Sequence, residues 1–259
     1  MSSVTWIGTS GFSYQDWVGA VYPESTPKSR WFEFYCTMFT ALEWNMTYYQ
    51  IPSSQVVQSF ARRAPRPFLL SIKAHRSITH QGKLDLLAPL QDLYHCAQQN
   101  GLTPQLLFQF PFSFQNDADA RGYLGKMVEQ VPARCSFEFR HASWAVPEVL
   151  GWLQQRGFSM VSVDQPPLPH LMPRILFRCE PIYLRFHGRN AQKWWTHEQA
   201  HERYDYQYSS AELLPWVKRL IEARAQERIV FFNNHFRGKA AKNAKQFSLL
   251  LEEKASRQS

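Results

Sequence analysis

The chain has 259 residues, of which 44% are hydrophobic and 15% aromatic, and its 29 Lys and Arg outnumber its 21 Asp and Glu to give a formal charge of +8. This composition excludes a disordered chain, and the lack of an apolar run of about 18 residues excludes a membrane-spanning helix. The start, MSSVTWIGTS, has no signal-peptide pattern and the four cysteines have no metal-ligand spacing, so we expect a cytoplasmic protein with reduced thiols.

Eight short segments rich in β-branched and aromatic residues predict strands. They are residues 5–11, 41–49, 68–76, 106–111, 135–141, 159–165, 182–188 and 228–234. Helical periodicity separates most of these segments. It is found after Ser53 with Val56, Val57 and Phe60, from Leu86 to Ala97, from Tyr123 to Val128, after Pro147, after a capping box of Ser209 and Glu212, and after Gly238.

The alternation of strands and helices predicts parallel βαβ units. Eight such units in about 250 residues match a single α/β barrel of the (β/α)₈, or TIM, type, in which some βα units are irregular. We therefore expect residues 1–259 to form one domain of this fold. Two long connections, residues 166–181 and 189–208, are expected to be functional loops.

In seven of the eight predicted strands, polar side chains recur at every second residue, so that their residue numbers within a strand are all odd or all even. We call this odd or even numbering the parity of a residue. Residues of one parity share a face, and parallel barrel strands are usually apolar on both faces. The pattern therefore predicts a polar lining near the carboxyl ends of the strands, where barrel enzymes hold their active sites. The lining comprises Glu43, Asn45, Lys73, His75, Gln109, Glu138, Arg140, Asp164, Arg185, His187 and at least one of Asn233 and Asn234.

These residue types favour an anion-binding site with acid–base groups. Arginine donates paired hydrogen bonds to phosphate or carboxylate, so Arg140 and Arg185 are expected to bind an anion. The predicted catalytic residues, acting as acids, bases or proton carriers, are Glu138, Asp164, His187 and Lys73. The other predicted ligand-binding residues are Glu43, Asn45, His75, Gln109, His141, Trp144, Asn233, Asn234 and Tyr14.

Three other interpretations of the lining stay open, and no particular cofactor is indicated. The first is a self-neutralised ion-pair web that stiffens the barrel. The second is a metal site, although the arginines of the lining would repel a divalent cation. Its ligands would be Glu138, Asp164, His187 and either His75 or His141. In the third, Lys73 forms a Schiff base if neighbouring cations lower its pKa.

A series of short motifs runs in order through the chain. They are Gly8-Thr9-Ser10-Gly11-Phe12-Ser13-Tyr14 with Trp17 and Tyr22-Pro23, Glu43-Trp44-Asn45-Met46-Thr47-Tyr48-Tyr49 with Pro52, Lys73 with Ile78-Thr79-His80, Phe108-Gln109-Phe110-Pro111, Glu138-Phe139-Arg140-His141 with Ser143-Trp144, Asp164, Arg185-Phe186-His187-Gly188, and Phe232-Asn233-Asn234 with Gly238, Ala240, Asn243 and Ala244. Through these motifs the chain resembles the YecE-like proteins, an uncharacterised domain-of-unknown-function family with a TIM-barrel fold.

The resemblance implies the barrel, and the shared motifs coincide with the polar lining. Members of the family have been likened to barrel nucleases of the endonuclease IV type, which cleave DNA with metal ions. This chain has no evident set of ligands for such a multi-metal centre. The likeness to those nucleases is therefore one of fold.

We expect an enzyme, a hydrolase or a lyase, that binds a small anionic or phosphate-bearing substrate at the mouth of the barrel. One alternative is a nucleic-acid-binding or metal-dependent nuclease-like protein, in which rings and cations of residues 189–208 hold bases and phosphates. The same aromatic residues are also explained by packing over the barrel rim. A second alternative is a non-catalytic ligand sensor. The sequence indicates no membrane partner and leaves the oligomeric state open.

Overall fold

The computed structural model describes residues 3–132 and 134–256, within which nine parallel strands form one sheet. The strands are β1 (Val4–Ser10), β2 (Ala41–Trp44), β3 (Leu69–Lys73), β4 (Thr103–Gln109), β5 (Cys135–Glu138), β6 (Ser159–Met160), β7 (Ser162–Asp164), β8 (Ile182–Phe186) and β9 (Glu227–Phe232). Seven of the predicted segments each overlap one of these strands, and the sixth segment contains both β6 and β7.

The sheet closes into a barrel through the short strands β6 and β7. The strand order is β6-β5-β4-β3-β2-β1-β9-β8-β7, and only Val161 separates β6 from β7 along the chain. Met160 pairs with Phe137 of β5, whereas Ser162 pairs with Leu184 of β8. One short chain segment therefore joins the two ends of the sheet. The predicted TIM-type barrel is confirmed, with its sixth strand divided in two.

Eight α-helices occur in the described part of the chain. They are α1 (Trp31–Cys36), α2 (Ser54–Arg63), α3 (Arg76–Gln81), α4 (Leu87–Gln99), α5 (Ala118–Val128), α6 (Pro147–Gln154), α7 (Ser210–Glu222) and α8 (Lys239–Ser256). Periodicity predicted six of them but not α1 and α3, since each has only six residues, too few to display a repeat. None of the described helices is long and apolar enough to cross a membrane.

The predicted helix starts are only partly confirmed. The capping box of α7 is present, with Glu212 accepting from the Ser209 backbone at 2.9 Å. Ser53 occupies the N-cap position of α2, but its side chain makes no capping hydrogen bond. Val56, which we expected on the inner face of α2, is exposed. The buried residues of α2 are Val57, Phe60 and Ala61.

The strands end earlier than predicted, and β2 and β3 are two examples. β2 ends at Trp44, and a short 3₁₀ helix (Met46–Tyr48) follows with Asn45 at its N-cap position. β3 ends at Lys73, and His75 is the N-cap residue of α3. The side chains just beyond these strands therefore belong to the rim of the barrel and not to its lining.

Aromatic side chains on the outer faces of the strands pack beneath the helices. Phe186 stacks on Phe232 of β9 with ring centres 4.5 Å apart, and it contacts Phe247 of α8 at 5.5 Å and Trp216 of α7 at 6.0 Å. Burial of each such side chain contributes about 1.5–3 kcal/mol. The apolar core therefore lies between sheet and helices, which leaves the inner faces available for charged residues.

Candidate active site at the barrel mouth

The inner faces of the strands carry a continuous set of polar side chains. Strand register places Glu43 beside Ser10 on one side and Ser71 on the other, and it places Gln109 beside Glu138. For Glu43, Gln109 and Glu138 this agrees with the lining predicted from parity. The inner-face residues are Ser10, Glu43, Ser71, Lys73, Gln105, Gln109, Ser136, Glu138, Arg140, Tyr183, Arg185 and His187.

Arg185 lies at the centre of this set and is fully buried. Its Nε donates to Glu43 Oε2 at 2.9 Å, its Nη2 donates to Glu43 Oε1, and its Nη1 donates to Glu138 Oε2. Longer bonds reach Ser10 at 3.3 Å and Gln109 at 3.4 Å. A guanidinium has five N–H donors, and these contacts use all of them. Arg185 therefore has no donor left for a ligand, although we expected it to bind an anion.

Glu138 joins Arg185 to two further groups. It accepts from Arg140 Nε at 3.0 Å and from His187 Nε2 at 3.1 Å, as well as from Arg185. Burial alone would raise the pKa of Glu138, but the charge of Arg185, assisted by His187 and Arg140, holds that pKa well below its usual range. Glu138 is therefore an ionised acceptor near neutral pH that contacts three side chains.

His187 is a buried, neutral imidazole. Asn233 Nδ2 lies 3.1 Å from His187 Nδ1, and because an amide nitrogen can only donate, the ring proton is on Nε2, which faces Glu138. Burial, followed by the charge of Arg140, lowers the pKa of His187 to about 3. Both ring nitrogens are thus engaged within the protein, and His187 orients Glu138.

Sequence reasoning missed two residues that complete the surroundings of Glu43. Ser10 Oγ donates to Glu43 Oε1 at 2.7 Å, and the Tyr183 hydroxyl donates to Glu43 Oε2 at 3.0 Å. The Tyr183 hydroxyl also lies 2.7 Å from Ser71 Oγ. Tyr183 has the parity of Arg185, so extending the parity argument to neutral residues would have found it.

Lys73 and Arg140 differ from Arg185, because each keeps donors that no described residue uses. Lys73 Nζ lies 4.5 Å from the centre of the Tyr48 ring and forms no ion pair with a described carboxylate. Burial, followed by the charge of Arg185, lowers the pKa of Lys73 to about 8. Arg140 donates from Nε to Glu138 and from Nη1 to Gln165 at 3.3 Å, whereas its Nη2 donates to none of the described groups.

The prediction that Asp164 belongs to the lining is wrong. Asp164 pairs with Phe186 on the outer face of the sheet, and Val163 pairs with the inward-facing Arg185. The parity argument assigned the polar residues of this strand to the inside. The valines occupy the inside instead, because partners outside the barrel satisfy the carboxylate.

These outer partners give Asp164 four hydrogen bonds. Arg189 donates two, at 2.8 and 2.7 Å, the Tyr208 hydroxyl donates one at 2.7 Å, and Trp216 Nε1 donates one at 2.7 Å. Asp164 therefore ties β7 to α7 and to the loop that follows β8. Gln165, which has the parity of Val163, faces the mouth, although we did not predict it.

Two of the predicted histidines are helix caps with the same local geometry. His75 Nδ1 accepts from the Ser77 backbone at 3.1 Å, and His141 Nδ1 accepts from the Ser143 backbone at 3.2 Å. The Nε2 of His75 also lies 2.9 Å from the Tyr49 carbonyl oxygen. The repeated His-x-Ser spacing is thus a structural signal at the ends of the third and fifth strand segments.

Trp144 and Asn234 lie outside the barrel, contrary to the prediction that they bind ligand. Trp144 is buried against Phe139, with ring centres 4.4 Å apart, and donates from Nε1 to the Phe114 carbonyl at 2.7 Å. Asn234 Nδ2 donates to Asn243 of α8 at 2.9 Å. Asn234 has the parity of Phe232, which lies on the outer face of β9, and Trp144 lies beyond the end of β5, where strand parity does not apply.

Tyr14 and Asn45 lie at the rim, as their positions next to strand ends predict. The Tyr14 ring stacks on His235 with centres 4.5 Å apart, and its hydroxyl donates to the Ser10 carbonyl at 2.6 Å. Asn45 Oδ1 and His235 Nδ1 are buried and lack hydrogen-bond partners among the described residues. Because buried polar atoms usually have partners, this part of the rim retains capacity to bind a polar group.

Residues 189–208 lie over the mouth. Trp194 is buried, and its ring centre lies 5.9 Å from the Arg140 guanidinium. The Tyr204 ring lies 6.3 Å from the His187 ring. Trp195, in contrast, is half exposed. Most of these aromatic residues thus pack over the rim, which agrees with the packing interpretation of this loop.

The set of metal ligands considered from the sequence is not brought together. Glu138 and His187 are in contact, but Asp164 lies on the other face of the sheet, and His75 and His141 cap helices. Across residues 3–132 and 134–256, no group of three or more His, Cys, Asp or Glu side chains is arranged to hold a metal ion.

The fold and this site define the class of protein. It is a barrel of parallel strands with helices outside and a charged cluster on the inner faces at the carboxyl ends of the strands, as in TIM-barrel-like proteins. The chain belongs to the family described as protein of unknown function DUF72, whose model matches residues 6–259. This is the family that the YecE-like resemblance indicated, under another name.

Relatives match over nearly the whole chain. The UPF0759 protein YunF of Bacillus subtilis (strain 168) is 28% identical over 269 residues, which cover 95% of this chain and 94% of that protein. The crystal structure of a DUF72 family protein from Thermotoga maritima is 36% identical, covers 96% of this chain and 99% of that one, and has a TM-score of 0.82. A DUF72 family structure from Enterococcus faecalis, 24% identical with 96% of each chain covered and a TM-score of 0.81, shows the same fold.

Proposed function

We propose that this protein is an enzyme that acts on a small anionic or phosphate-bearing substrate at the mouth of the barrel. The observation that carries the proposal is the contrast among the three inner-face cations. Arg185 uses all its donors within the protein, whereas Lys73 Nζ and Arg140 Nη2 have no acceptor among the described residues. Free charged donors beside a buried ion-pair cluster suit an anionic ligand.

The charge balance of the inner face supports an anion. Among the described residues its three cations, Lys73, Arg140 and Arg185, face two carboxylates, and the neighbouring His187 is neutral because burial lowers its pKa to about 3. One positive charge is therefore left over when Lys73 is protonated. An uncompensated charge in a partly buried site is unfavourable, so binding of an anion relieves it.

In this proposal the residues of the site have different roles. Arg185 and its two carboxylates form a rigid frame, and Glu138 positions Arg140 to present its free Nη2. Lys73 is suited to acid–base chemistry, because a group with a pKa of about 8 both donates and accepts a proton near neutral pH. This assignment fits a hydrolase or a lyase.

The proposal is tested by titrating the protein with inorganic phosphate in a calorimeter. Arg140→Gln removes a charged hydrogen bond of about 1.5–3 kcal/mol and is expected to weaken phosphate binding about tenfold or more. Lys73→Met is expected to weaken it as well. Lys83→Met, which changes an exposed lysine beyond α3, is the matched control and should leave the affinity unchanged. Equal affinity in all four proteins, or no binding to the unmodified protein, would contradict the proposal.

Catalysis is tested separately by screening phosphorylated and carboxylated metabolites for turnover. We expect product formation that Lys73→Met abolishes and Lys83→Met preserves. Binding without any product would favour the ligand-sensor alternative over an enzyme. We further propose a cytoplasmic location, which the four unpaired cysteines support.

A further inference from the structure

We propose that Lys73 forms a Schiff base with an aldehyde or ketone group of the substrate. The inference rests on the proposed function, because the substrate enters the same mouth and places its anionic group at Arg140. It narrows the substrate class to small anions that carry a carbonyl group, and it favours a lyase over a hydrolase.

Lys73 lies where a substrate can reach it. It is the last residue of β3 and is partly exposed, whereas Arg185 and Glu138 are fully buried. The Lys73 carbonyl accepts from Thr47 Oγ1 at 2.6 Å, which fixes the backbone below the amine. No other described strand contains a lysine. Of the described strands, β3 alone thus presents an amine from its inner face to the mouth.

The charges around Lys73 favour a neutral, nucleophilic amine. The two nearby guanidinium groups repel an ammonium ion, and the two nearby carboxylates are already paired with those guanidinium groups. Burial and the charge of Arg185 lower the pKa of Lys73 to about 8, and a lysine activated in this way is a suitable Schiff-base nucleophile. The charged and titratable groups that face Lys73 are Arg185, Arg140, Glu43, Glu138, Tyr48 and His80.

Formation of the Schiff base needs neither an oxidant nor a cofactor. Neutral Lys73 Nζ attacks the carbonyl carbon, and the resulting carbinolamine takes up a proton and loses water to leave an iminium ion. Hydrolysis reverses these steps and restores the amine. The iminium nitrogen carries the same positive charge as an ammonium ion, so the face of the Tyr48 ring, 4.5 Å from Nζ, stabilises it by a cation–π interaction.

Reductive trapping tests the inference directly. The full-length protein is incubated at pH 7 with glyoxylate, a small anion that carries an aldehyde, and with cyanoborohydride, which reduces the iminium to a stable secondary amine. Peptide mass spectrometry then locates the modified lysines. At this pH a lysine with a pKa of about 8 is neutral in about one molecule in ten, and an ordinary lysine in about one in 2,500.

We expect Lys73 to be modified at least about tenfold faster than the exposed Lys83 of the same molecules, after allowance for the lower nucleophilicity of a less basic amine. The rate at Lys73 should level off above pH 8, while the rate at Lys83 continues to rise. Lys73→Met should remove the fast phase, and Lys83→Met should preserve it. Modification spread over exposed lysines, with Lys73 no faster than Lys83, would overturn the inference.

The result is distinguishable from failure of the proposed function. Phosphate binding that depends on Arg140, without preferential trapping at Lys73, would reject the Schiff base and leave the anion site intact. Preferential trapping without any phosphate binding would instead retain the reactive lysine and reject the anion site.

Discussion

Replacing Arg185 with methionine is the most informative perturbation of the frame beneath the proposed site. The change removes a fully buried guanidinium that contacts Glu43 and Glu138, and it keeps an unbranched, apolar side chain that is shorter than arginine. Glu138 retains the cation of Arg140 at 3.0 Å. Glu43, however, keeps hydrogen bonds from two hydroxyl groups, at 2.7 and 3.0 Å, and becomes a buried carboxylate with no ion-pair partner among the described residues.

The expected loss of stability follows from the carboxylate of Glu43, which has lost its ion-pair partner. Breaking a buried ion pair by removing one partner destabilises a protein by about 3–5 kcal/mol, so we expect a loss of this size for Arg185→Met. The double variant Glu43→Gln with Arg185→Met also removes the charge of Glu43. It should recover most of the lost stability, because replacing both partners of a buried ion pair often changes the stability little. Phosphate affinity should fall in the single variant, since Arg140 loses part of its fixed frame.

The assay is urea unfolding at pH 7 followed by circular dichroism. The matched control is Arg63→Met, which removes a partly exposed arginine lying 3.6 Å from Glu33. Surface pairs contribute about 0–1 kcal/mol, so the control should change stability little. A loss for Arg185→Met no larger than that for Arg63→Met, or no recovery in the double variant, would refute the reasoning.

Three further predictions use the same unfolding assay. Stability should fall as the pH drops below about 6.5, because the imidazole of His187 is then protonated in the unfolded state, whereas in the folded state its pKa is about 3. His187→Gln should reduce the slope of stability against pH, and equal slopes in the two proteins would contradict the prediction. Asp164→Asn should lower the free energy of unfolding by about 3 kcal/mol and speed proteolysis within residues 189–208, while the folded protein still binds phosphate. Unchanged stability, or loss of phosphate binding in the folded protein, would contradict the structural role of Asp164. Trp144→Ala should lower the free energy of unfolding by about 3–5 kcal/mol without weakening phosphate binding. Weaker phosphate binding at unchanged stability would contradict this and place Trp144 in the binding site at the mouth.

Much of the fold could be predicted because a parallel barrel has strong local signals. Buried strands produce short apolar runs, and long amphipathic helices produce a repeat that extends over several turns. The division of the sixth strand at Val161 leaves no such signal, because it depends on pairing with β5 on one side and β8 on the other. The six-residue helices α1 and α3 are likewise too short to show a period.

The site was predictable wherever an inward polar residue lies between outward apolar neighbours. Parity located Glu43, Lys73, Glu138 and Arg185 correctly. It failed at Asp164, because a carboxylate is placed by its partners and not by parity, and those partners, such as Trp216, are 25 or more residues away along the chain. Which cation keeps a free donor is likewise a property of the folded network and not of the sequence.

The most direct test of the anion site is a crystal structure of the protein grown with inorganic phosphate. We predict tetrahedral density at the mouth, within hydrogen-bond distance of both Lys73 Nζ and Arg140 Nη2, with Arg185 still bound to Glu43 and Glu138. A mouth without phosphate, in which Lys73 Nζ and Arg140 Nη2 each donate to groups of the protein, would contradict the proposed site and leave the cluster as a structural ion-pair web.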